Sequence, residues 1–125
     1  MYRILILDDE KPSSQMLEQL LNKKFQSIDV ISNVHTVQDA VAYLVNNQVD
    51  MVLLDLQLNG ESGFDLLDII TPRTFDVICL SASREYAIKA FEYCANGYLL
   101  KPVNEDELIK TMSILFQRHQ KISEI

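Results

Sequence analysis

Cysteine is scarce in this chain, with only two among 125 residues, Cys79 and Cys94, and their spacing is unlike that of a metal site. Both lie in apolar sequence surroundings, so we expect reduced core residues of a cytosolic protein and no disulfide. Long apolar runs are also missing, because none approaches the roughly 18 residues that a membrane-spanning helix needs. The start of the chain, MYRILILDDE, lacks a signal-peptide pattern, since its apolar run is short and acids follow it. These absences favour a cytoplasmic protein without a membrane segment.

Basic residues are outnumbered, with 11 Lys and Arg against 18 Asp and Glu, and the net charge is −7. Nucleic acids and anionic lipids are bound through Lys and Arg, so we expect neither direct nucleic-acid binding nor membrane binding. Hydrophobic residues make up 48 % of the chain, enough for a packed interior. The length suits one domain over residues 1–125, and no repeat, low-complexity tract or linker divides it.

Short apolar runs of strand length alternate with patterns of helical periodicity along the chain. The predicted strands cover residues 2–7, 29–32, 51–56, 75–81 and 97–100. The predicted helices cover residues 13–25, the turns after Thr36, residues 63–70, the region from Ala87 to Cys94, and the segment after Asn104. Nearly continuous apolar strands indicate a parallel sheet that is covered by helices on both faces. We therefore predict an α/β fold, a doubly wound (βα)5 five-stranded parallel sheet, whose ligands bind outside the carboxyl ends of the strands.

The residues at the predicted carboxyl ends of four strands are mostly polar or charged. They are, in chain order, Asp8, Asp9 and Glu10 after the first strand, Asp55 at the third, Ser81 and Ala82 at the fourth, and Lys101 and Pro102 at the fifth. Each of these residues alone has an ordinary explanation as a turn, a helix cap or a solvated strand end. Together, the carboxylates would repel one another, and a hard divalent cation such as Mg2+ is the usual remedy. A cation, an ammonium group and a hydroxyl around one carboxylate favour a phosphoryl group at this edge, and the carboxylate could accept it covalently.

Four stretches, ILILDDE, MVLLDLQLNGESGFDLL, VICLSAS and ANGYLLKPVNEDEL, resemble in this order the receiver domain of bacterial two-component response regulators. They span nearly the whole chain. The run REYAIKAFEYCANGYLLKP is further similar to receivers that precede a LytTR-type DNA-binding domain. The resemblance implies a CheY-like, flavodoxin-like sheet with the strand order 2-1-3-4-5.

The resemblance also implies the phosphoacceptor and the metal ligands. Asp55 matches the residue that accepts the phosphoryl group. Asp9, Asp55 and the backbone carbonyl of Gln57 match the Mg2+ ligands, and Asp8 matches the acid that holds metal-bound water. One departure lies in the loop after Asp55, where Asn59 replaces a proline that many members of the family have, so we expect a looser loop.

Three further positions match the switch of the family. Ser81 matches the hydroxyl that bonds the phosphoryl group, although it is serine and not threonine, and Lys101 matches the ammonium group that pairs with the phosphoryl group. The Lys101–Pro102 bond matches a cis peptide. Tyr98 matches the aromatic that moves inward when Ser81 is pulled toward the phosphoryl group, and its alternative is a simple aromatic at the edge of the core. Gln57 and Ser83 rim the site, where side chains set the lifetime of the phosphoryl group.

The function implied is a signalling switch and not an enzyme, apart from slow self-dephosphorylation. A sensor histidine kinase would phosphorylate Asp55, and the face formed by helix four, strand five and helix five would change shape and support a homodimer. The LytTR-like run favours an output domain beyond this chain, and a stand-alone receiver is the alternative.

Two other functions are less well supported by the sequence. A phosphatase with an aspartate nucleophile would place a D-x-D pattern after strand one, and a degenerate receiver would not keep every chemical position filled.

Overall fold

Five parallel strands form the central sheet of the computed structural model, which describes the backbone of residues 1–124 and the side chains of residues 1–30 and 32–118. The strands of the sheet are β1 (Tyr2–Leu7), β2 (Ile28–Val34), β3 (Met51–Asp55), β6 (Asp76–Ser81) and β7 (Gly97–Leu100). Their order is β2-β1-β3-β6-β7, which confirms the predicted order 2-1-3-4-5 because β6 and β7 are the fourth and fifth strands of this sheet. The strands β4 (Gln57–Leu58) and β5 (Glu61–Ser62) form a separate antiparallel hairpin.

Helices cover the sheet on both faces. They are α1 (Lys11–Lys24), α2 (Val37–Asn46), α3 (Phe64–Ile69), α4 (Ala87–Glu92) and α5 (Glu105–Glu124). One apolar core lies under α2, α3 and α4, and it contains Leu5 and Leu7 of β1. The other core lies under α1 and α5, and it contains Ile4 and Ile6 of the same strand. Residues 4–7 of β1 thus face the two cores alternately and are all buried, which explains why this part of the strand is a continuous apolar run.

The predicted helices that follow Thr36 and Asn104 both begin with a side-chain cap. The Thr36 side chain accepts a hydrogen bond from the Asp39 N–H at 3.1 Å and thereby caps the start of α2. The helix begins shortly after the edge strand β2 ends. Asn104 likewise accepts from the Glu107 N–H at 3.0 Å at the start of α5. These caps satisfy N–H groups that have no partner inside their helices.

The region around α4 corrects two expectations from the sequence. Cys79 is fully buried in β6 as expected, but Cys94 is exposed, so its assignment to the core was wrong. The helix ends at Glu92, and Cys94 follows with a left-handed φ of 60°. Ala90 is the buried residue of the helix, whereas Phe91 is 82 % exposed. Both cysteines are free thiols.

The loop after Asp55 is more regular than expected. Gln57 pairs with Ser62 and Leu58 pairs with Glu61, and Asn59 and Gly60 form the turn between them. Gly60 has a φ of 78°, which glycine adopts at little cost because it lacks a Cβ. The loop that was expected to be loose thus contains a paired hairpin, in which β4 and β5 are antiparallel.

Candidate functional site

The backbone brings three of the predicted site residues to neighbouring strand ends. Asp55, the last residue of β3, lies beside Leu80 of β6, so Ser81 comes next along the neighbouring strand. The Lys101 N–H donates to the Ser81 carbonyl oxygen at 2.8 Å, which holds the end of β7 against the end of β6. The parallel register therefore gathers a carboxylate, a hydroxyl and an ammonium group at one edge of the sheet.

Three carboxylates meet at this edge. Asp8, Asp9 and Asp55 each offer an oxygen, and these oxygens lie within 4.8 Å of one another. Asp8 and Asp55 are buried, and each has one oxygen held by a nearby backbone N–H. The Glu10 N–H donates to Asp8 Oδ1 at 2.9 Å, and the Gln57 N–H donates to Asp55 Oδ1 at 3.0 Å. These local turns leave the second oxygen of each carboxylate facing the cluster.

Lys101 supplies the positive charge of the site. Its Nζ lies 2.9 Å from Asp55 Oδ2 and 3.2 Å from Asp8 Oδ2. Burial raises the pKa of Asp55, while the Gln57 N–H and Lys101 oppose this effect and Asp8 adds to it. Burial by itself would lower the pKa of Lys101, but its hydrogen bonds and attraction to Asp55 and Asp8 raise the pKa above its ordinary value. The ion pair and burial thus act in opposite directions on Asp55, and burial is the larger effect.

The donor set of the cluster fits a hard divalent cation. Carboxylate oxygens are the ligands that Mg2+ prefers, and one or two carboxylates with several waters suffice for it. Asp9 is only partly buried, so the cluster is open to solvent on one side. Asp8, Asp9 and Asp55 would hold such an ion, which would supply positive charge at this edge of the sheet.

The hydroxyl groups of Ser81, at the end of β6, and of Tyr98, in β7, lie at the rim of the site. Ser81 Oγ donates to Gln57 Oε1 at 3.2 Å, and the Ala82 N–H donates to the same oxygen at 3.1 Å. The Ser83 N–H donates to Ser81 Oγ at 3.1 Å. The Tyr98 hydroxyl donates to the Ser83 carbonyl oxygen, and its ring is half-buried against the core under α3 and α4. A chain of hydrogen bonds therefore joins Tyr98 of β7 to Gln57 of β4.

The bond between Lys101 and Pro102 is a cis peptide in the structure, and so is the bond between Thr71 and Pro72. The first of them lies at the end of β7, beside the carboxylates. The second lies between α3 and β6, away from this edge of the sheet.

Three residues that sequence reasoning did not select also shape the site. Gly63 is one, because a Cβ at this position would lie 2.3 Å from the Asp55 carbonyl oxygen. Glu61 is the second, since its Oε2 accepts from the Val37 N–H at 2.8 Å and ties the hairpin to the start of α2. His35 is the third, and its Nδ1–H donates to the Asp8 carbonyl oxygen at 2.8 Å. The Asn-Gly turn in the sequence could have indicated the hairpin, but the other contacts join segments that are distant along the chain.

A family model described as the response regulator receiver domain matches residues 4–113. The chain is 32 % identical to the sensory transduction protein LytT of Bacillus anthracis over 114 residues, which is 90 % of this chain and 46 % of LytT. It is 32 % identical to the transcriptional regulatory protein BtsR of Escherichia coli over 123 residues, 97 % of this chain and 51 % of BtsR. The chain therefore spans about half the length of these curated relatives.

A comparison with solved structures shows the same similarity in the fold. The crystal structure of the response regulatory domain of protein mrkE from Klebsiella pneumoniae matches with a TM-score of 0.87 and 26 % identity. The match covers 95 % of this chain and 98 % of that domain.

Within residues 1–124, no helix combines the length and the apolar character that crossing a bilayer requires.

Proposed function

This chain belongs to the family of response regulator receiver domains, and we propose from this premise that Asp55 is the residue that accepts the phosphoryl group. The observation that carries the proposal is the position of its carboxylate. Asp55 is 2 % exposed at a strand end, and an ammonium group lies 2.9 Å from its Oδ2. Asp8 and Asp9 belong to the same cluster and can share a cation with it.

The donor in this proposal is a phosphohistidine of a sensor histidine kinase. An oxygen of Asp55 attacks the phosphorus, the O–P bond forms, and the N–P bond breaks with its electron pair left on the imidazole nitrogen. Mg2+ held by Asp8, Asp9, Asp55 and the Gln57 carbonyl would offset the negative charge of the phosphoryl oxygens. Lys101 then pairs with a phosphoryl oxygen through a charge-assisted hydrogen bond. Slow hydrolysis of the acyl phosphate would return Asp55 to its free form.

An apolar groove beside the site supports docking of the kinase. The groove has a volume of about 540 Å³ and lies between α1 and the segment that follows β7. Met16 and Leu20 of α1 line one wall, and Pro102 and Val103 line the other. Met16 is 68 % exposed, so an apolar side chain is available next to Lys101. A kinase helix laid in this groove would bring its phosphohistidine to Asp55, in a compartment that we expect to be the cytoplasm.

The output of the switch is assigned to the face formed by α4, β7 and α5. Ser81 and Tyr98 are already connected through the loop that begins α4, so a phosphoryl group that draws Ser81 toward Asp55 would act on both. Ile88 and Phe91 of α4 are 75 % and 82 % exposed. Large exposed apolar side chains on one helix favour a protein contact, and we assign this face to a homodimer that forms on phosphorylation.

The relatives support a transcriptional output. BtsR is named a transcriptional regulatory protein, and LytT is named a sensory transduction protein. Since this chain covers about half of each, the proposed whole protein has a LytTR-type DNA-binding domain besides this receiver. The net charge of −7 supports the view that DNA binding would belong to that domain and not to this one. The arrangement is therefore favoured over a stand-alone receiver.

The test of the phosphoacceptor is covalent labelling followed by intact-mass analysis. Acetyl phosphate with Mg2+ should add one phosphoryl group to the wild type and none to Asp55→Asn. Asp29→Asn is the matched control, because it makes the same chemical change at an exposed position of β2 and should label like the wild type. A phosphoryl adduct that persists on Asp55→Asn would overturn the assignment.

A further inference from the structure

The Gln57 side chain joins the end of β3 to the end of β6. Its Oε1 accepts two hydrogen bonds, from Ser81 Oγ at 3.2 Å and from the Ala82 N–H at 3.1 Å. A backbone N–H can only donate, so the atom of the Gln57 amide that faces Ala82 is its oxygen. One neutral acceptor therefore engages both donors at the start of the loop after β6.

These two donors also lie at the end of β6, beside the strand end that carries Asp55. Asp55 lies beside Leu80 in the register of β3 and β6, so Ser81 and Ala82 come next along the neighbouring strand. A phosphoryl group would bring three strong acceptor oxygens to this place. We propose that Gln57 is a placeholder: its amide oxygen holds Ser81 and Ala82 in the unphosphorylated protein, and a phosphoryl group on Asp55 must displace it. This inference rests on the proposed function of Asp55.

The backbone of Gln57 makes such a placeholder effective. Its N–H donates to Asp55 Oδ1 at 3.0 Å, and Gln57 pairs with Ser62 in the hairpin. The residue is thus anchored beside the nucleophile by its main chain, while its side chain is exposed and also forms a hydrogen bond with Tyr86 at the rim of the site. An amide oxygen suits this role because it accepts hydrogen bonds without adding a fourth carboxylate to the cluster of Asp8, Asp9 and Asp55.

Displacement of the Gln57 side chain would affect residues beyond Ser81. Ser81 Oγ donates to Gln57 and accepts from the Ser83 N–H, so its rotation affects the backbone of the loop. The carbonyl oxygen of Ser83 in turn accepts from the Tyr98 hydroxyl. Gln57 therefore stabilises the unphosphorylated arrangement of Ser81, Ser83 and Tyr98, and it competes directly with the phosphoryl group for two donors.

The competition predicts that removal of the amide strengthens binding of a phosphoryl analogue. Each hydrogen bond contributes a net of about 0.5–1.5 kcal/mol, and a tenfold change in affinity corresponds to about 1.4 kcal/mol. Because two hydrogen bonds are lost, beryllofluoride with Mg2+ should bind at least about 5-fold more tightly to Gln57→Met, a side chain of similar length without the acceptor, and to Gln57→Ala. Gln48→Met makes the same change at an exposed position in the loop after α2 and should bind like the wild type.

Amide NMR titrations of the four proteins test the placeholder. The result expected is tighter binding by both Gln57 variants, together with a changed Ala82 amide resonance before beryllofluoride is added. Affinity equal to that of Gln48→Met, or weaker, would overturn the placeholder while the wild type still binds at Asp55. Absence of beryllofluoride binding in every protein would overturn the placeholder together with the proposed function.

Discussion

Lys101 Nζ bridges two buried carboxylates, since it lies 2.9 Å from Asp55 Oδ2 and 3.2 Å from Asp8 Oδ2. The three amino acids come from the ends of β7, β3 and β1, which are not all neighbours in the sheet. With Asp9 in the same cluster, one positive charge faces three negative ones. The site therefore keeps a net negative charge, and this excess is what makes it able to attract a cation.

Replacement of Lys101 by methionine should raise the affinity for Mg2+. The variant keeps the aliphatic stem of the side chain but removes the positive charge that repels the ion and occupies Asp8 and Asp55. We expect Mg2+ to bind about 3- to 10-fold more tightly, since charges a few ångströms apart near a protein surface interact by several kcal/mol and solvent screens part of this. An amide NMR titration measures the affinity.

The matched control for that titration is Lys110→Met. Lys110 is exposed on α5, and its charge should be largely screened by salt at the cluster. A Mg2+ affinity that is the same in Lys101→Met and Lys110→Met would show that the metal does not bind between Asp8 and Asp55.

The folded protein should be more stable at neutral pH when Asp55 is replaced by asparagine. Burial raises the pKa of Asp55 above its ordinary value of 3.8, so the folded state holds the proton more tightly than the unfolded state. Stability therefore falls as pH rises from about the ordinary pKa through the raised one, and the loss persists above it. An asparagine side chain does not titrate, so Asp55→Asn should gain about 0.5–2 kcal/mol in the free energy of unfolding at pH 7, the range that is common for such changes.

Urea unfolding in EDTA at several pH values measures this gain. The advantage of Asp55→Asn should shrink toward pH 4 and below, where Asp55 is protonated in both states. Asp29→Asn, an exposed change of the same kind in β2, should show little difference from the wild type at any pH. If Asp55→Asn were less stable than the wild type at pH 7, the ion pair with Lys101 would outweigh burial.

Much of the fold could be predicted because buried parallel strands have a distinctive pattern. Residues 4–7 of β1 and 51–54 of β3 are short apolar runs that are buried on both faces of the sheet. β2 was predicted too short because Ser32 and Asn33 interrupt its apolar pattern. It pairs only with β1 at the edge of the sheet, and an edge strand tolerates polar residues that a central strand would not. The hairpin was missed because strands of two residues are too short to show a period.

From the sequence, only those residues of the site that lie at the ends of strands could be predicted. Asp8, Asp55 and Lys101 meet because parallel strands place their carboxyl ends at one edge. The contact between Glu61 and the Val37 N–H joins residues 24 positions apart, and it depends on how the hairpin lies over α2. No local pattern contains that information. The roles of Asp55, Ser81 and Tyr98 in signalling stay predictions until labelling and switching are measured.

Gly63 should tolerate alanine far less well than Gly60. A Cβ at Gly63 would lie 2.3 Å from the Asp55 carbonyl oxygen and 3.0 Å from a side-chain atom of Leu54, so the backbone at Asp55 would have to move. We expect Gly63→Ala to lose about 1–3 kcal/mol of stability, as overpacked cores do, and to be labelled more slowly at Asp55 by acetyl phosphate.

Gly60→Ala is the control that separates the loss of stability from the slower labelling of Asp55. Its φ of 78° disfavours alanine by about 1–2 kcal/mol, but nothing lies within 4 Å of the added Cβ. It should therefore lose stability without slowing the labelling of Asp55. Equal labelling rates in the two variants, compared under conditions where both are folded, would show that the contact between Gly63 and Asp55 does not position the carboxylate.

The two thiols should differ strongly in their reactivity, although both were expected in the core. Burial raises the pKa of Cys79 to about 12, and Arg73 opposes this only weakly, so its thiol stays neutral and covered in the folded protein. Cys94 is exposed after α4. At pH 8 a disulfide reagent such as dithionitrobenzoate should react quickly with one thiol. The second should react on the order of 10³-fold more slowly, because only the small unfolded fraction exposes it.

Cys94→Gly identifies which thiol is the fast one. Glycine adopts the φ of 60° at this position without the backbone strain that cysteine has in the folded protein. Glycine also gives the unfolded chain more conformational freedom, which favours unfolding. Because the two effects oppose each other, the free energy of unfolding should change little. The fast phase should disappear in this variant, while the slow phase remains and accelerates in urea as Cys79 becomes exposed. A fast phase that survives in Cys94→Gly would mean that β6 opens readily at Cys79. Since Cys79 lies two residues before Ser81 in that strand, the end of β6 that carries the site would then be far less rigid than its hydrogen bonds to β3 and β7 indicate.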